Sequence, residues 1–272
     1  MTTAGTVRVG TSGWVYAPWR GTFYPKGLPQ RRELEHLSHT LNSVEINGSF
    51  YALQKPESYR RWAESTPDDF VFSMKGPRFI THMKKLVDVE TPLANFFASG
   101  VLALEHKLGP VLWQLPPTMR FDAAVLHDFL DRLPATTAAA AELACGHDAR
   151  LDGRAWTTVE TDRPMRHALE VRHPSFVDDT LIDLLRGAGV AVVLADSAEK
   201  FPVIDEMTTD FSYARLHGDA EIYVSGYTDD ALDTWASRFG DRAHHGDVFV
   251  YFDNDQKVRA PVDARGLLDR LT

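Results

Sequence analysis

Pairs of polar residues, spaced two apart, close three apolar runs of this sequence. The pairs are Glu45 and Asn47, Glu170 and Arg172, and Arg215 and His217. Residues two apart share one face of a strand, so each pair projects to one side while its apolar neighbours project to the other. Carboxylates, guanidiniums and an imidazole gathered in one place could hold an anion and transfer protons.

The run FVFSMK shows the same alternation and adds an amine, because Ser73 and Lys75 share a face. Beside Glu45 or Glu170, a desolvated lysine with a lowered pKa could act as a general base or as a Schiff-base amine. An ordinary ion pair is the alternative for Lys75. We predict catalytic roles for four residues, which are Glu45, Lys75, Glu170 and His217.

Eight segments with strand-like patterns position these residues. The segments are 7–11, 43–47, 70–75, 110–115, 166–172, 190–195, 211–217 and 247–252. Helix-period segments lie between most of them, such as Leu34, Leu37 and Leu41, or the run after Thr91, which could cap its helix. Alternation of strand and helix along the chain predicts a parallel α/β sheet with its polar site at the carboxyl ends.

Eight such units favour a closed TIM-like (β/α)8 barrel with parallel strands over an open, doubly wound sheet. The open sheet would normally carry a glycine-rich phosphate loop after its first strand, and GTSGW at 10–14 matches neither common pattern of that loop. The segment 134–165 is predicted to extend the fourth unit as helix and loop. No polar linker divides the chain, so we predict one domain over residues 1–272.

Further side chains at strand ends and in the first loops complete the predicted site. Aromatic rings there could line a pocket for a sugar or a base, although packing is the commoner role of loop aromatics. A network of salt bridges closing the barrel mouth is the structural alternative, but apolar residues would fill a purely structural end more stably. The predicted ligand-binding residues are Ser12, Trp14, Asn47, Tyr51, Gln114, Arg172, Asp196, Arg215 and Asn254.

Some candidate residues are of types that bind divalent metals, namely Glu45, Glu170, Asp196 and His217. No H-x-H or H-E-x-x-H spacing accompanies them. Lys75, Arg172 and Arg215 would place three cations beside the ion. We therefore predict neither a metal nor another cofactor, and a divalent metal stays the less favoured alternative.

The charge and composition of the chain limit its partners and its compartment. A net charge of −9 on 272 residues disfavours sequence-blind binding of nucleic acid, which needs a basic surface. The lone Cys145 has no partner for an internal disulfide. The start MTTAGTVRVG lacks the features of a secretory signal, and no apolar run is long enough to cross a membrane. We predict a cytoplasmic protein.

Motifs in one order along nearly the whole chain resemble those of the DUF72, or YecE-like (UPF0759), family. They are GTSGW (10–14), VEINGSFY (44–51), FVFSMK (70–75), LGPVLWQLPP (108–117), EVRHPSF (170–176), TDFSYARLHG (209–218) and VYFDN (250–254). The resemblance implies a TIM-barrel-like fold in a bacterial or archaeal cytoplasmic protein, and it brings no established reaction. Phe176 stands where the family often has Trp, and Asp253 where an Asn-Asn pair is usual.

The sequence predicts an enzyme that acts on a small anionic, sugar-like or nucleotide-like molecule by acid/base or covalent chemistry. One rival is a metal-dependent phosphodiesterase or isomerase of the endonuclease IV or xylose isomerase type. Another rival is a non-catalytic ligand-binding or scaffold protein. The sequence leaves the oligomeric state open.

Overall fold

The computed structural model describes residues 5–272, and eight parallel strands form the centre of this part of the chain. They are β1 (Val7–Thr11), β2 (Ser43–Ile46), β3 (Val71–Lys75), β4 (Leu108–Gln114), β5 (His167–Glu170), β6 (Val190–Asp196), β7 (Ser212–Leu216) and β8 (Val248–Phe252). All eight coincide, within a few residues, with the strands that the sequence predicts.

The strands form a nearly closed barrel. Neighbours pair in the order β1-β8-β7-β6-β5-β4-β3-β2, and β1 meets β2 through a parallel bridge between Ser12 and Glu45. Gly10 permits this approach, because a Cβ there would lie 2.3 Å from the carbonyl oxygen of Ser43. The predicted TIM-like barrel of parallel strands is therefore confirmed.

Helices cover the outside of the barrel, except for the short α2, which lies at the barrel mouth. They are α1 (Glu33–Ser38), α2 (Gly48–Tyr51), α3 (Pro56–Glu64), α4 (Glu90–Ala98), α5 (Ala123–Leu130), α6 (Thr137–Ala144), α7 (Asp179–Ala188), α8 (Asp229–Ala243) and α9 (Ala260–Leu271). The prediction that Thr91 caps a helix is wrong, because α4 begins at Glu90. Helix α3 has no predicted counterpart, since it is largely polar and buries little besides Pro56 and Tyr59.

Alternation along each strand separates two cores. Outward side chains such as Val44, Ile46 and Leu216 join the large apolar cluster beneath the helices. Inward side chains form a smaller cluster inside the barrel, with members from β4 to β8. Near the amino ends of the strands, Phe211 and Phe249 fill the interior beside the Arg166 guanidinium, which lies 5.2 Å and 5.7 Å from their ring centres. Polar inward side chains are concentrated at the carboxyl ends.

Within residues 5–272, no helix combines the length and the apolar character needed to span a membrane.

Candidate functional site

Arg215 lies at the centre of a buried charge network at the carboxyl ends of the strands. Its Nε is 3.1 Å from Glu45 Oε2 and its Nη2 is 2.9 Å from Glu45 Oε1, which makes the pair bidentate. Its Nη1 donates to Glu170 Oε2 at 2.8 Å, and its Nη2 also reaches Ser12 Oγ at 2.9 Å. Every N–H of the guanidinium has an acceptor, so its charge is satisfied within the protein.

Glu45, on β2, accepts hydrogen bonds from side chains at the end of β1 and on β7. Ser12, directly after β1, donates its hydroxyl to Glu45 Oε1 at 2.8 Å, and the Tyr213 hydroxyl donates to Oε2 at 2.7 Å. Glu45 and Arg215 are fully buried. A buried carboxylate is tolerated when it is paired and hydrogen-bonded, and both conditions hold here.

Glu170 is clamped between two guanidiniums. Arg172 donates its Nε to Oε1 at 2.7 Å, while Arg215 takes Oε2. Burial alone would raise the pKa of Glu170, but the positive charges of Arg172 and Arg215 outweigh it and hold that pKa well below the usual range. Glu170 is therefore a permanent anion at neutral pH rather than a proton donor.

Asp253 is a member of the network that the sequence analysis did not select. Its Oδ2 lies 3.0 Å from Arg215 Nη2 and 3.1 Å from His217 Nδ1. Burial raises its pKa, but the Arg215 charge and the contact with His217 hold the pKa well below its ordinary value. A signal was available, because Phe249 and Tyr251 face the barrel interior and the next step of two reaches position 253.

A cavity of about 650 Å³ opens above this network at the barrel mouth. Its lining mixes cationic, acidic, amide and aromatic groups, as a site for a polar organic ligand would. The lining residues are Tyr16, Asn47, Phe50, Tyr51, Lys75, Arg78, His82, Met83, Gln114, Arg172, Tyr223, Asp253 and Asp255. Five of them are predicted site residues, namely Asn47, Tyr51, Lys75, Gln114 and Arg172.

Lys75 lies at the end of β3 and is the one predicted catalytic residue in the cavity lining of residues 5–272. Its Nζ is 4.5 Å from the centre of the Phe50 ring. Burial and, secondly, the charge of Arg215 lower the pKa of Lys75 to about 8, although nearby carboxylates oppose the shift. A minor but appreciable fraction of the amine, about a tenth at pH 7, is thus neutral.

The other predicted catalytic residues lie one layer below the cavity. Glu45, Glu170 and His217 are fully buried, and the ring of Tyr223 meets His217 edge-on at 5.4 Å between ring centres. Tyr223 itself lines the cavity. Direct contact of these three residues with a ligand, as predicted from the sequence, is therefore blocked in this conformation. Strand alternation correctly predicted that these side chains point into the barrel, but it did not predict how deeply they are buried.

Comparison with known proteins supports the resemblance in the motifs. The family model described as "Protein of unknown function DUF72" matches residues 8–272. This chain belongs to the DUF72 family. The DUF72 chain is also 31% identical to the UPF0759 protein YecE of Escherichia coli strain K12 over 170 residues, which are 60% of this chain and 52% of that protein. The match thus spans about half the length of this curated relative.

Solved structures of the family share the fold of this DUF72 chain. A DUF72 family protein from Thermotoga maritima MSB8 is 25% identical, with a TM-score of 0.77 over 98% of this chain and 99% of that one. One from Enterococcus faecalis V583 is 17% identical, with a TM-score of 0.74 over 98% and 95% of the two chains. Neither description states a reaction.

Three predicted ligand-binding residues of the DUF72 chain lie away from the cavity. Trp14 packs edge-on against Trp62 in the apolar core, with ring centres 5.3 Å apart. Asp196 occupies an outward-facing position of β6 and accepts a hydrogen bond from the Tyr227 hydroxyl at 2.7 Å. Asn254 donates to Asp263 on α9 at 2.8 Å. Each side chain packs or bonds outside the cavity, so the structure does not bring these three residues to the mouth with the other predicted ligand-binding residues.

Ser12 and Arg215, also predicted to touch a ligand, belong instead to the buried network. Ser12 lies between Glu45 and Arg215, and Arg215 is fully buried. The N–H groups of Arg215 all bond to protein acceptors, so none is available to an anion that enters from solvent. Arg172 is the arginine of the predicted pair that reaches the cavity.

The same geometry explains why the DUF72 network does not resemble a metal centre. In residues 5–272, no three His, Cys, Asp or Glu side chains are placed to hold one ion. Glu45, Glu170 and Asp253 all face the Arg215 guanidinium, which occupies the position between them. Placing a divalent cation there would require this guanidinium to leave.

Proposed function

We propose that this DUF72 protein is an enzyme that acts on a small anionic, sugar-like or nucleotide-like molecule in the mouth cavity. Lys75 supplies the acid/base or nucleophilic group, and Arg172 holds the anionic part of the ligand. One observation carries the proposal: the Lys75 amine faces the cavity, whereas Glu45, Glu170 and Asp253 are all paired with arginine. An amine without a paired carboxylate is available for chemistry.

Arg172 is suited to hold an anion. Its Nε is used by Glu170, and its guanidinium stacks on Phe201, with 4.6 Å from Cζ to the ring centre. Among residues 5–272 its two terminal nitrogens have no hydrogen-bond acceptor, so they are free for a carboxylate or phosphate in the cavity. Arg78 adds a second positive charge to the lining.

Neutral polar groups in the cavity suit a hydroxylated ligand. The side-chain oxygen of Asn47 is buried and has no hydrogen-bond partner in the part of the chain that the structure describes. An unpaired buried acceptor costs stability, which a ligand hydroxyl would recover. Gln114 lines the cavity and offers further amide groups. These contacts favour a sugar-like or nucleotide-like ligand over a bare inorganic anion.

Thermal denaturation with a ligand panel tests this function. We expect a sugar phosphate or a nucleoside monophosphate to raise the melting temperature more than inorganic phosphate at equal ionic strength. A ligand at a hundred times its Kd contributes about 2.7 kcal/mol of stability. The Arg172→Gln variant should lose most of this increment, whichever melting temperature its unliganded form has.

Arg186→Gln is the matched control, because Arg186 forms an exposed pair with Glu206 on the helical surface. It should keep the full ligand response. If no member of the panel stabilises the protein, or if Arg172→Gln responds as strongly as Arg186→Gln, the proposed site is wrong. If a ligand binds but is never converted, a binding function replaces the enzymatic one.

A further inference from the structure

Two lysines of this chain are buried to a similar extent but differ in the hydrogen bonds that their amines form. Lys75 is 8% exposed and Lys107 is 6% exposed. The Lys107 amine donates to the Ala63 carbonyl at 2.7 Å and to the Thr66 carbonyl and hydroxyl at 2.9 Å and 3.3 Å. Three acceptors satisfy the three N–H groups of an ammonium, so Lys107 is a structural cation.

Lys75 has no such acceptors within residues 5–272. The Phe50 ring faces its Nζ, and the neighbouring carboxylates are engaged by Arg172, Arg215 and His217. A purely structural role would favour an ammonium whose N–H groups all bond within the protein, as those of Lys107 do. The open side of the Lys75 amine is the cavity.

We infer that Lys75 forms an imine with the carbonyl carbon of an anionic aldehyde or ketone, whose anionic group lies against Arg172. The inference rests on the proposed function and narrows its substrate to a carbonyl compound, such as a 2-oxo acid or the open-chain form of a sugar phosphate. A guanidinium and a free amine lining one cavity provide the two contacts that such a molecule requires.

The chemical step balances without an oxidant or reductant. The lone pair of the neutral amine forms the new C–N bond as the carbonyl π bond breaks, and one proton moves from nitrogen to oxygen to give a carbinolamine. The hydroxyl then accepts a proton from solvent or a cavity group and leaves as water, while the nitrogen lone pair forms the C=N bond. The net reaction consumes one proton and one carbonyl and yields an iminium and one water.

The surroundings supply the neutral amine that the first step requires. With a pKa of about 8, about a tenth of Lys75 is neutral at pH 7, against well under a thousandth for an ordinary lysine. His82 lines the same cavity, and burial, followed by the charges of Lys75 and Arg172, lowers its pKa, so the surroundings favour the neutral form of the ring.

Reductive trapping tests the inference. The protein is treated with glyoxylate or with pyridoxal 5′-phosphate, two anionic aldehydes of different size, and then with sodium borohydride, which fixes an imine as a secondary amine. Peptide mass spectrometry identifies the labelled lysines. We expect Lys75 to be labelled at least tenfold faster than any exposed lysine, and Lys107 to stay unlabelled as the internal control. Arg172→Gln should slow labelling of Lys75, and Lys75→Arg should abolish it without changing the circular dichroism spectrum.

An analogue that cannot form an imine distinguishes a failure of the imine inference from a failure of the proposed function. Pyridoxine 5′-phosphate carries an alcohol in place of the aldehyde, and its effect on the melting temperature reports anion binding alone. If neither aldehyde labels Lys75 ahead of the exposed lysines, the imine inference is overturned. In that case, a higher melting temperature with pyridoxine 5′-phosphate would still support the anion site. No change in melting temperature with this alcohol would count against both the imine inference and the proposed function.

Discussion

Arg215 and Glu45 form a bidentate ion pair, with distances of 3.1 Å and 2.9 Å, in which both side chains are fully buried. The pair joins β7 to β2 across the barrel. Ser12, directly after β1, is hydrogen-bonded to both residues, and the bridge between Ser12 and Glu45 closes the barrel. Arg215 therefore stabilises the seam of the barrel and fixes the floor of the mouth cavity.

Replacing Arg215 should strongly destabilise the fold. In Arg215→Met, Glu45 loses its cationic partner and Glu170 keeps one of two, and breaking a buried ion pair on one side typically costs about 3–5 kcal/mol. Chemical denaturation would measure the loss in the free energy of unfolding. A variant that fails to fold would also agree with the predicted destabilisation. Arg186→Met is the control, because its half-exposed pair with Glu206 should contribute at most about 1 kcal/mol. Equal effects of the two substitutions would contradict the role given to Arg215.

Acid should weaken the fold through Glu170 and Asp253. The pKa of each is held below its unfolded value, so each contributes stability above that value, near 4, and the contribution is lost as pH falls toward the folded-state pKa. We expect the free energy of unfolding to fall as pH is lowered below about 5. Asp253→Asn should flatten this dependence, as followed by urea denaturation across pH 3–7. Asp269→Asn, in an exposed pair with Arg265, should leave the slope unchanged.

The titration of Lys75 should respond to Asp253. We expect competitive labelling of the amine with acetic anhydride to show a midpoint at about pH 8. The Asp253 carboxylate favours the ammonium form, so Asp253→Asn should move that midpoint to lower pH. A midpoint near 10.4, the ordinary lysine value, would show that the amine is solvated. An upward shift in the variant would mean that Asp253 acts on Lys75 by some other route.

Tyr223 should control access to His217. The Tyr223 backbone has a φ of 66°, an unfavourable angle for a non-glycine residue, and its ring covers His217 from the cavity side. In Tyr223→Ala we expect diethyl pyrocarbonate to modify His217, which stays protected in the parent protein. Half-exposed His106 should react equally in both proteins and serves as the control. Modification of His217 in the parent would show that the cover opens in solution.

Asn254 should prove structural rather than ligand-binding. It donates to the Ser225 carbonyl at 2.9 Å and to Asp263 Oδ2 at 2.8 Å, and its removal takes one donor from each acceptor, with the Tyr227 N–H still bonded to Asp263 Oδ2 at 3.1 Å. Asn254→Ala should therefore cost about 1–3 kcal/mol in the free energy of unfolding. The stabilising increment from an anionic ligand should be unchanged. Loss of that increment with full stability would instead place Asn254 in the ligand site.

The sequence by itself determined the strands and the direction of their side chains. Strand alternation is a local property: Glu45, Lys75, Glu170 and Arg215 stand at inward positions because of the apolar residues one step away from them. The ordered alternation of strands and helices also determined the barrel, since eight parallel units close most simply on themselves. Both inferences needed only neighbouring residues.

Only the tertiary structure decided how deep each side chain lies and what it pairs with. Among residues 5–272, Lys75 has no ion-pair partner, because Arg215 and Arg172, far away in the sequence, engage the carboxylates that could have paired with it. His217 is covered by a residue of the following loop, whose path no periodic pattern specifies. Depth and pairing depend on contacts between distant segments, and such contacts leave no signal in the spacing of one strand.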